Sequence, residues 1–267
     1  MASPEYILLF PPANATLNPM KPAAWNRFTR AREHYRREIK RLLRKMPQLQ
    51  AVQQELVNSR SPSYTVETSI VYNGALDDVQ PDSEIRLLLV ADNPGRREQA
   101  AENRRYLVGP SGKIAEKFFR DNPALNIDFR KNVIILNKTP IHTPRTVELR
   151  ELCYLSSRRL GGAALETALA ESQRIMARLL LEFHQALAVP VWITGYSEMK
   201  KGGVFEAYTG ELKTLYKGAK LRNSVFLYRH FSMNQFTIDL KQQTARGEPL
   251  NNALDRIGTA YRERFLW

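Results

Sequence analysis

Ile85-Arg-Leu-Leu-Leu-Val-Ala-Asp-Asn-Pro-Gly95 carries an unbroken apolar run from Leu87 to Ala91 and then stops abruptly in turn-forming residues. An apolar run without alternation reads as a strand buried on both faces, the signature of a parallel sheet covered by helices. Its end, Asp92-Asn93-Pro94-Gly95, presents a carboxylate and an amide at the strand's C-terminal edge. In open α/β sheets that edge is where ligands bind.

Three more short apolar runs follow, at Asn132–Leu136, Val189–Thr194 and Ser224–Tyr228. Helical stretches separate them, over Lys113–Phe119, Val147–Leu155 and Leu165–Leu187, and a last helix spans Asn251–Phe265. Strands alternating with helices predict a three-layer α/β/α sandwich around a central, mainly parallel four-stranded sheet. Ser63–Tyr72 is β-branched and aromatic and reads as a further strand or an extended edge segment. Asn137 to Arg145 and Arg229 to Asn234 also follow strand ends, so the fold would gather them with Asp92 and Asn93 on one rim.

Residues 63–267 are expected to form this domain, preceded by an N-terminal basic helical arm within residues 1–62. Residues 1–23 read as an irregular lead-in. From Ala24 to Met46, residues Trp25, Phe28, Tyr35, Ile39, Leu42 and Met46 fall on one helical stripe. The remaining surface is dense in cations, among them Arg36, Arg37, Lys40 and Arg41. It reads either as the solvated face of a docked helix or as a phosphate-tracking surface. Leu49 to Val57 offers a second short helix.

Lys and Arg number 40 against 27 Asp and Glu, a formal net charge of +13, which favours a polyanionic partner, nucleic acid first. Cys153 is the sole cysteine, so an intramolecular disulfide and a cysteine-ligated zinc or iron–sulfur site are excluded. The start of the chain lacks the basic region of a signal peptide, and no apolar stretch reaches the ~18–20 residues that cross a bilayer. The expectation is a cytoplasmic protein, monomeric, with DNA as partner and no membrane association.

Several chemistries lack their motifs. The chain has no Gly-x-x-x-x-Gly-Lys-Ser/Thr loop, no Gly-x-Gly-x-x-Gly turn and no Gly-x-Ser-x-Gly elbow. His34, His142, His184 and His230 show no paired metal-ligand spacing, so no metal and no cofactor are expected, and His184, within a helix, reads as structural. What remains is an Asp/Asn pair, a hydrogen-bonding Asn and a His on a basic scaffold.

These residues resemble the uracil-DNA glycosylase superfamily. Its first motif, a strand ending in Gly-x-Asp/Asn/Glu-x-Pro-Gly, is similar to Val90-Ala-Asp-Asn-Pro-Gly95. The branch that carries an iron–sulfur cluster continues with Pro-Phe-Val-Gly-x-x-Gly, which Arg105-Tyr-Leu-Val-Gly-Pro-Ser-Gly112 resembles. A strand ending in Asn, then Pro and Arg, is matched by Ile135-Leu-Asn-Lys-Thr-Pro140 and Pro144-Arg145. The closing His-Pro-Ser motif is similar to His230-Phe-Ser-Met-Asn234. The likeness spans Ile85 to Phe236. It departs from the branch in lacking cluster cysteines and in placing Phe231 where the family has proline.

The resemblance implies a monofunctional DNA glycosylase acting by base flipping and water attack, in base-excision repair or antiviral defence. Asp92 sits where the iron–sulfur branch has its water-activating Glu; Asn93 matches the water-positioning Asn of other branches. Both stay open at this point. His230 would donate to the departing pyrimidine, worth roughly 3–4 kcal/mol for a preorganised donor. Asn137 would read the base edge and Tyr106 would stack on it, for about 1–3 kcal/mol. Gly95 stands where the most uracil-specific branch has a Tyr crowding C5 of the base, so uracil or a bulkier modified pyrimidine, such as the hypermodified bases of phage DNA, fits. DNA contacts would come from Ser111, Lys138, Arg145, Arg229 and Ser232, with Met233 and Asn234 as a wedge. The rival readings are a catalytically silent nucleic-acid-binding protein of this fold and an enzyme acting on small nucleosides.

Overall fold

The computed structural model describes residues 20–160 and 164–267. The lead-in expected at the start of the chain thus lies, up to residue 19, outside the described residues. Four strands, β1 (Leu87–Ala91), β2 (Val133–Asn137), β3 (Val191–Thr194) and β4 (Val225–Tyr228), form one sheet in the order β2-β1-β3-β4, every pair parallel. All four are buried along their whole length, which is why they lack polar alternation in the sequence.

Alternate strand residues supply two separate cores. Leu88, Val90, Ile134, Leu136, Val191, Ile193, Val225 and Leu227 face α1 (Pro22–Lys45), α2 (Leu49–Asn58), α4 (Glu148–Leu160), α5 (Ala164–Leu187) and α6 (Glu206–Leu215). Leu87, Leu89, Ile135, Trp192, Phe226 and Tyr228 face α3 (Pro110–Asp121), α7 (Gln235–Gln243) and α8 (Leu250–Phe265). The result is a three-layer α/β/α sandwich. Its second core is dominated by rings: Trp192 lies 5.6 Å from Phe119 and 5.7 Å from Phe236, both stacked.

The helix expected as an N-terminal arm is docked along α5 as part of the first helical layer. Phe28, Ala31, Tyr35, Ile39 and Leu42 are buried, and Phe28 meets Phe183 at 5.5 Å. His34 pairs with Glu182, while Arg41 and Lys45 pair with Glu171, so α1 runs antiparallel to α5. Of the two readings for Ser63–Tyr72, the extended edge segment is the one found. It contributes a single antiparallel bridge, Ile70 to Ile141, beside Val71 N–H to Pro140 C=O at 2.9 Å. The Ser69 carbonyl also accepts from His142 N–H at 3.0 Å, and several other backbone atoms turn to side chains; Gln99 Oε1, for example, accepts from Glu67 N–H at 2.6 Å. Two helices, α6 and α7, were not legible as helices in the sequence. Among the described residues no helix is long and apolar enough to cross a membrane.

The strand order places the site. From β1 the chain crosses through α3 on one face to reach β2; from β3 it crosses through α6 on the opposite face to reach β4. Connections leaving adjacent strands toward opposite faces open a crevice at their C-terminal ends, the topological switch point. Ala91 pairs with Asn137, and Thr194 with Tyr228, in the last rows of the sheet. One residue further along each strand stand Asp92, Lys138, Gly195 and Arg229.

Candidate active site

Asp92 leaves β1 and lays its carboxylate against two neighbours. Lys138 Nζ donates to Oδ1 at 2.5 Å, and Thr146 Oγ1 donates to Oδ2 at 3.2 Å. Gly195, just past β3, comes close enough that a Cβ there would stand 2.6 Å from Oδ1, and its φ of +79° belongs to the region favouring glycine. Oδ1 is therefore enclosed, whereas the Asp92 side chain as a whole keeps 16% of its surface exposed.

Lys138 was expected to clamp a phosphate. It cannot, because it is fully buried: Nζ donates to Asp92, to the Thr194 carbonyl at 2.5 Å and more weakly to the Gly195 carbonyl at 3.5 Å, and lies 5.0 Å over the Phe205 ring. Burial pushes its pKa below that of an ordinary lysine, and the Asp92 charge opposes that shift.

Asn93 spends its amide on the loop. Nδ2 donates to Thr143 Oγ1 at 2.9 Å and approaches the Thr143 and Pro94 carbonyls, while Oδ1 accepts from Thr146 Oγ1 at 3.0 Å. His142 fastens the same loop from beneath. Its Nδ1 hydrogen-bonds the Pro94 carbonyl at 2.8 Å and its Nε2 accepts from Tyr64 Oη at 2.8 Å, so the proton resides on Nδ1. Burial lowers the His142 pKa to about 4, which keeps it neutral.

Asn137 ends β2 with 1% of its surface exposed, and neither Nδ2 nor Oδ1 has a hydrogen-bond partner among the described residues. Each unmet buried polar atom costs roughly 1–3 kcal/mol. The donor and the acceptor have no protein partners, and at 1% exposure a ligand would meet them only once the rim opens.

His230 follows β4, where Phe231 anchors the turn. That ring is 1% exposed and stacks on Phe236 at 4.4 Å, so an aromatic plug does here what proline would do by backbone restraint. His230 Nδ1 accepts the Ser232 backbone N–H at 2.9 Å. The neutral imidazole must then carry its proton on Nε2. Burial holds the pKa below the usual value; the Asp92 charge raises it and the Lys138 charge lowers it, which places both in the field of the ring.

Beyond the turn, Met233 and Asn234 both adopt left-handed backbone, at φ 53° and 58°, and Met233 is 76% exposed. Two consecutive non-glycine residues in that region cost about 1–2 kcal/mol each, and the strain lifts an apolar side chain into water.

The chain matches no known family model, and no curated protein matches it. What the site does rests on its own geometry.

The fold thus brings Asp92, Asn93, Asn137, Lys138 and His230 to one rim. Other expected contacts fare differently. Tyr106 is no stacking platform: its ring is 1% exposed, and its hydroxyl bonds Tyr35 Oη and the Val71 carbonyl, both at 2.6 Å. It belongs to the packing beneath α1. Arg145 is bonded to Glu148 yet keeps 67% of its side chain exposed, and Arg229, half exposed, lies 3.2 Å from Asp239. Ser111, in the first turn of α3, and Ser232 are half-buried. On α1, Arg36 pairs with Glu33 and Asp77 and Arg41 with Glu38 and Glu171, whereas Arg37 and Lys40 are exposed. Gly95 has open space where a Cβ would be, and its N–H donates to Glu98.

Sequence reasoning missed Thr146, Gly195, Phe205 and Glu98. Only Gly195 left a signal, as a glycine directly after a strand. The two widest clefts lie off the rim. One, of about 600 Å³, starts at Arg96 and is lined by Tyr64, Gln99, Asn103 and Val108. The other, of about 1020 Å³, lies among α4, α5 and α6 beside Cys153. Asp92, Asn137 and His230 line neither.

Proposed function

We propose that this protein is a DNA glycosylase that hydrolyses the N-glycosidic bond of uracil or a modified pyrimidine by base flipping, without metal or cofactor. The observation that carries the reading is the partnerless, buried Asn137 amide on the same C-terminal rim of the sheet as the Asp92 carboxylate and an imidazole with its proton on Nε2. The motif resemblance from Ile85 to Phe236 points the same way.

Breaking the bond to the base leaves cation-like charge on the sugar and negative charge on the departing pyrimidine. The Asp92 carboxylate, 16% exposed, orients water and takes its proton. Asn93, committed to Thr143 and Thr146, holds the loop instead. The Nε2–H of His230 donates to the pyrimidine oxygen as charge develops there, a preorganised interaction of roughly 3–4 kcal/mol. Asn137 pairs with the flipped base edge. Met233 is the wedge that fills the gap left in the duplex. The open space at Gly95 suits a pyrimidine with a substituent at C5. The exposed cations, with a formal net charge of +13, suit a DNA backbone. Repair and antiviral defence would both use such an activity.

The deciding assay incubates the protein with duplexes and single strands bearing uracil, hydroxymethyluracil or glucosylated hydroxymethylcytosine, then scores alkali-labile abasic sites. Cleavage on one of them, abolished by Asp92→Ala, is the expected result. Tight DNA binding with no abasic site on any substrate would instead make the protein a catalytically silent binder.

A further inference from the structure

We propose that Lys138 is a positioning residue for the rim: its ammonium clamps Oδ1 of Asp92, fixing how that carboxylate is presented, and offsets the carboxylate's charge at His230. The inference rests on the glycosylase reading for its catalytic meaning, but the charge coupling itself does not.

The geometry around Nζ is closed. Asp92 Oδ1 from the β1 loop and the Thr194 carbonyl from β3 each accept at 2.5 Å, the Gly195 carbonyl stands at 3.5 Å, and Phe205, just before α6, offers its ring face at 5.0 Å. An ammonium has three protons, and three oxygens meet them. Lys138 is fully buried, which leaves no path for it to touch a phosphate or a base. Its backbone N–H adds a second tie, bonding the Ala91 and Asp92 carbonyls at 3.0 and 2.9 Å. The residue therefore acts on the site only through Asp92.

That action has two parts. A carboxylate with Oδ1 held by Lys138 and backed by Gly195 is fixed in rotation, so Lys138 keeps Oδ1 and Thr146 meets Oδ2. Second, His230 lies in the field of both Asp92 and Lys138, whose effects on it have opposite signs. Burial is the largest influence and favours the neutral imidazole; the Asp92 charge opposes it and the Lys138 charge acts with it.

The test needs no substrate for its first readout. The His230 ring is titrated by NMR in the full chain, in wild type and in Lys138→Met. Loss of the cation should move the His230 titration upward, and Asp92→Asn should move it downward. Lys138→Gln replaces Met if the latter does not fold. With a substrate identified, Lys138→Met should lower the single-turnover rate at least about tenfold while leaving DNA affinity within about twofold. An unmoved His230 titration in the folded Lys138 variants overturns the proposal, as does an unchanged cleavage rate. If the wild-type protein cleaves no base, the glycosylase reading falls, and the titrations still decide whether Lys138 governs His230.

Discussion

Gly195 and Asp92 are in contact across two strands: a Cβ on Gly195 would come within 2.6 Å of Asp92 Oδ1, closer than side chains approach one another. The only atom-sized freedom around that oxygen is taken by Lys138. Gly195→Ala should therefore displace the carboxylate. The φ of +79° adds strain of about 1–2 kcal/mol. We expect a modest fall in melting temperature together with a loss of catalytic rate of about a hundredfold, the scale set by a 1 Å misplacement. Thermal melts paired with single-turnover assays check this; full activity in Gly195→Ala would show that Asp92 tolerates movement.

Asn93 and Asp92 should separate by variant. Asp92→Asn removes the proton acceptor and preserves shape, so it should abolish turnover while stability stays near wild type. Asn93→Ala removes one hydrogen bond from each of Thr143 and Thr146, which keep Arg145 and Asp92 as partners, and should cost about 1–2 kcal/mol of stability, with activity reduced but present. Denaturant melts and rate measurements on both variants distinguish them. Equal loss of activity in the two would make Asn93 a member of the catalytic set.

Acid stability should be governed by groups of opposite sign. Burial lowers His142 and His184 to about 4 from an ordinary 6.5, so the unfolded chain binds protons that the folded one refuses. Stability is then lost as pH falls from 6.5 toward 4, by about 3 kcal/mol for each group at most. Glu98 works the other way. Burial raises it to about 7 against an ordinary 4.5, despite backbone N–H groups of Gly95, Leu107 and Val108 that oppose the shift. The folded state holds that proton more tightly, so stability rises as pH falls from 7 to 4.5. Glu98→Gln should make the acid loss steeper. Urea melts between pH 4 and 7.5 on the two proteins test it; parallel curves would remove Glu98 from the account.

The cations of α1 should divide into two classes. Arg37 and Lys40 are exposed, while Arg36 and Arg41 sit in ion pairs with Asp77 and Glu171. If α1 lies on DNA, Arg37→Glu with Lys40→Glu should reduce the slope of log affinity against log salt by about 1–2. Arg36→Ala and Arg41→Ala should change stability by less than about 1 kcal/mol each, the usual worth of surface pairs. Binding titrations at several salt concentrations give the slope, and an unchanged slope places the DNA elsewhere.

Much of this molecule was legible in the chain itself. Four apolar runs gave four parallel strands, because a strand covered on both faces needs no polar alternation, and the helical stripe of Phe28, Tyr35, Ile39 and Leu42 found its core. Strand ends placed Asp92, Asn137 and His230 on one rim for the same reason: parallel strands all end on the same side. Tertiary structure decided what each polar side chain on that rim meets. A lysine after a strand reads as a surface cation in sequence; only packing shows Lys138 closed in by Asp92, Thr194, Gly195 and Phe205. Tyr106 read as a platform until α1 was found over it, with Tyr35 bonded to its hydroxyl. Hydropathy and periodicity report which way a segment faces along one chain. Whether a charge is spent inside the fold or offered outward depends on residues tens of positions away, and that is settled only when they meet.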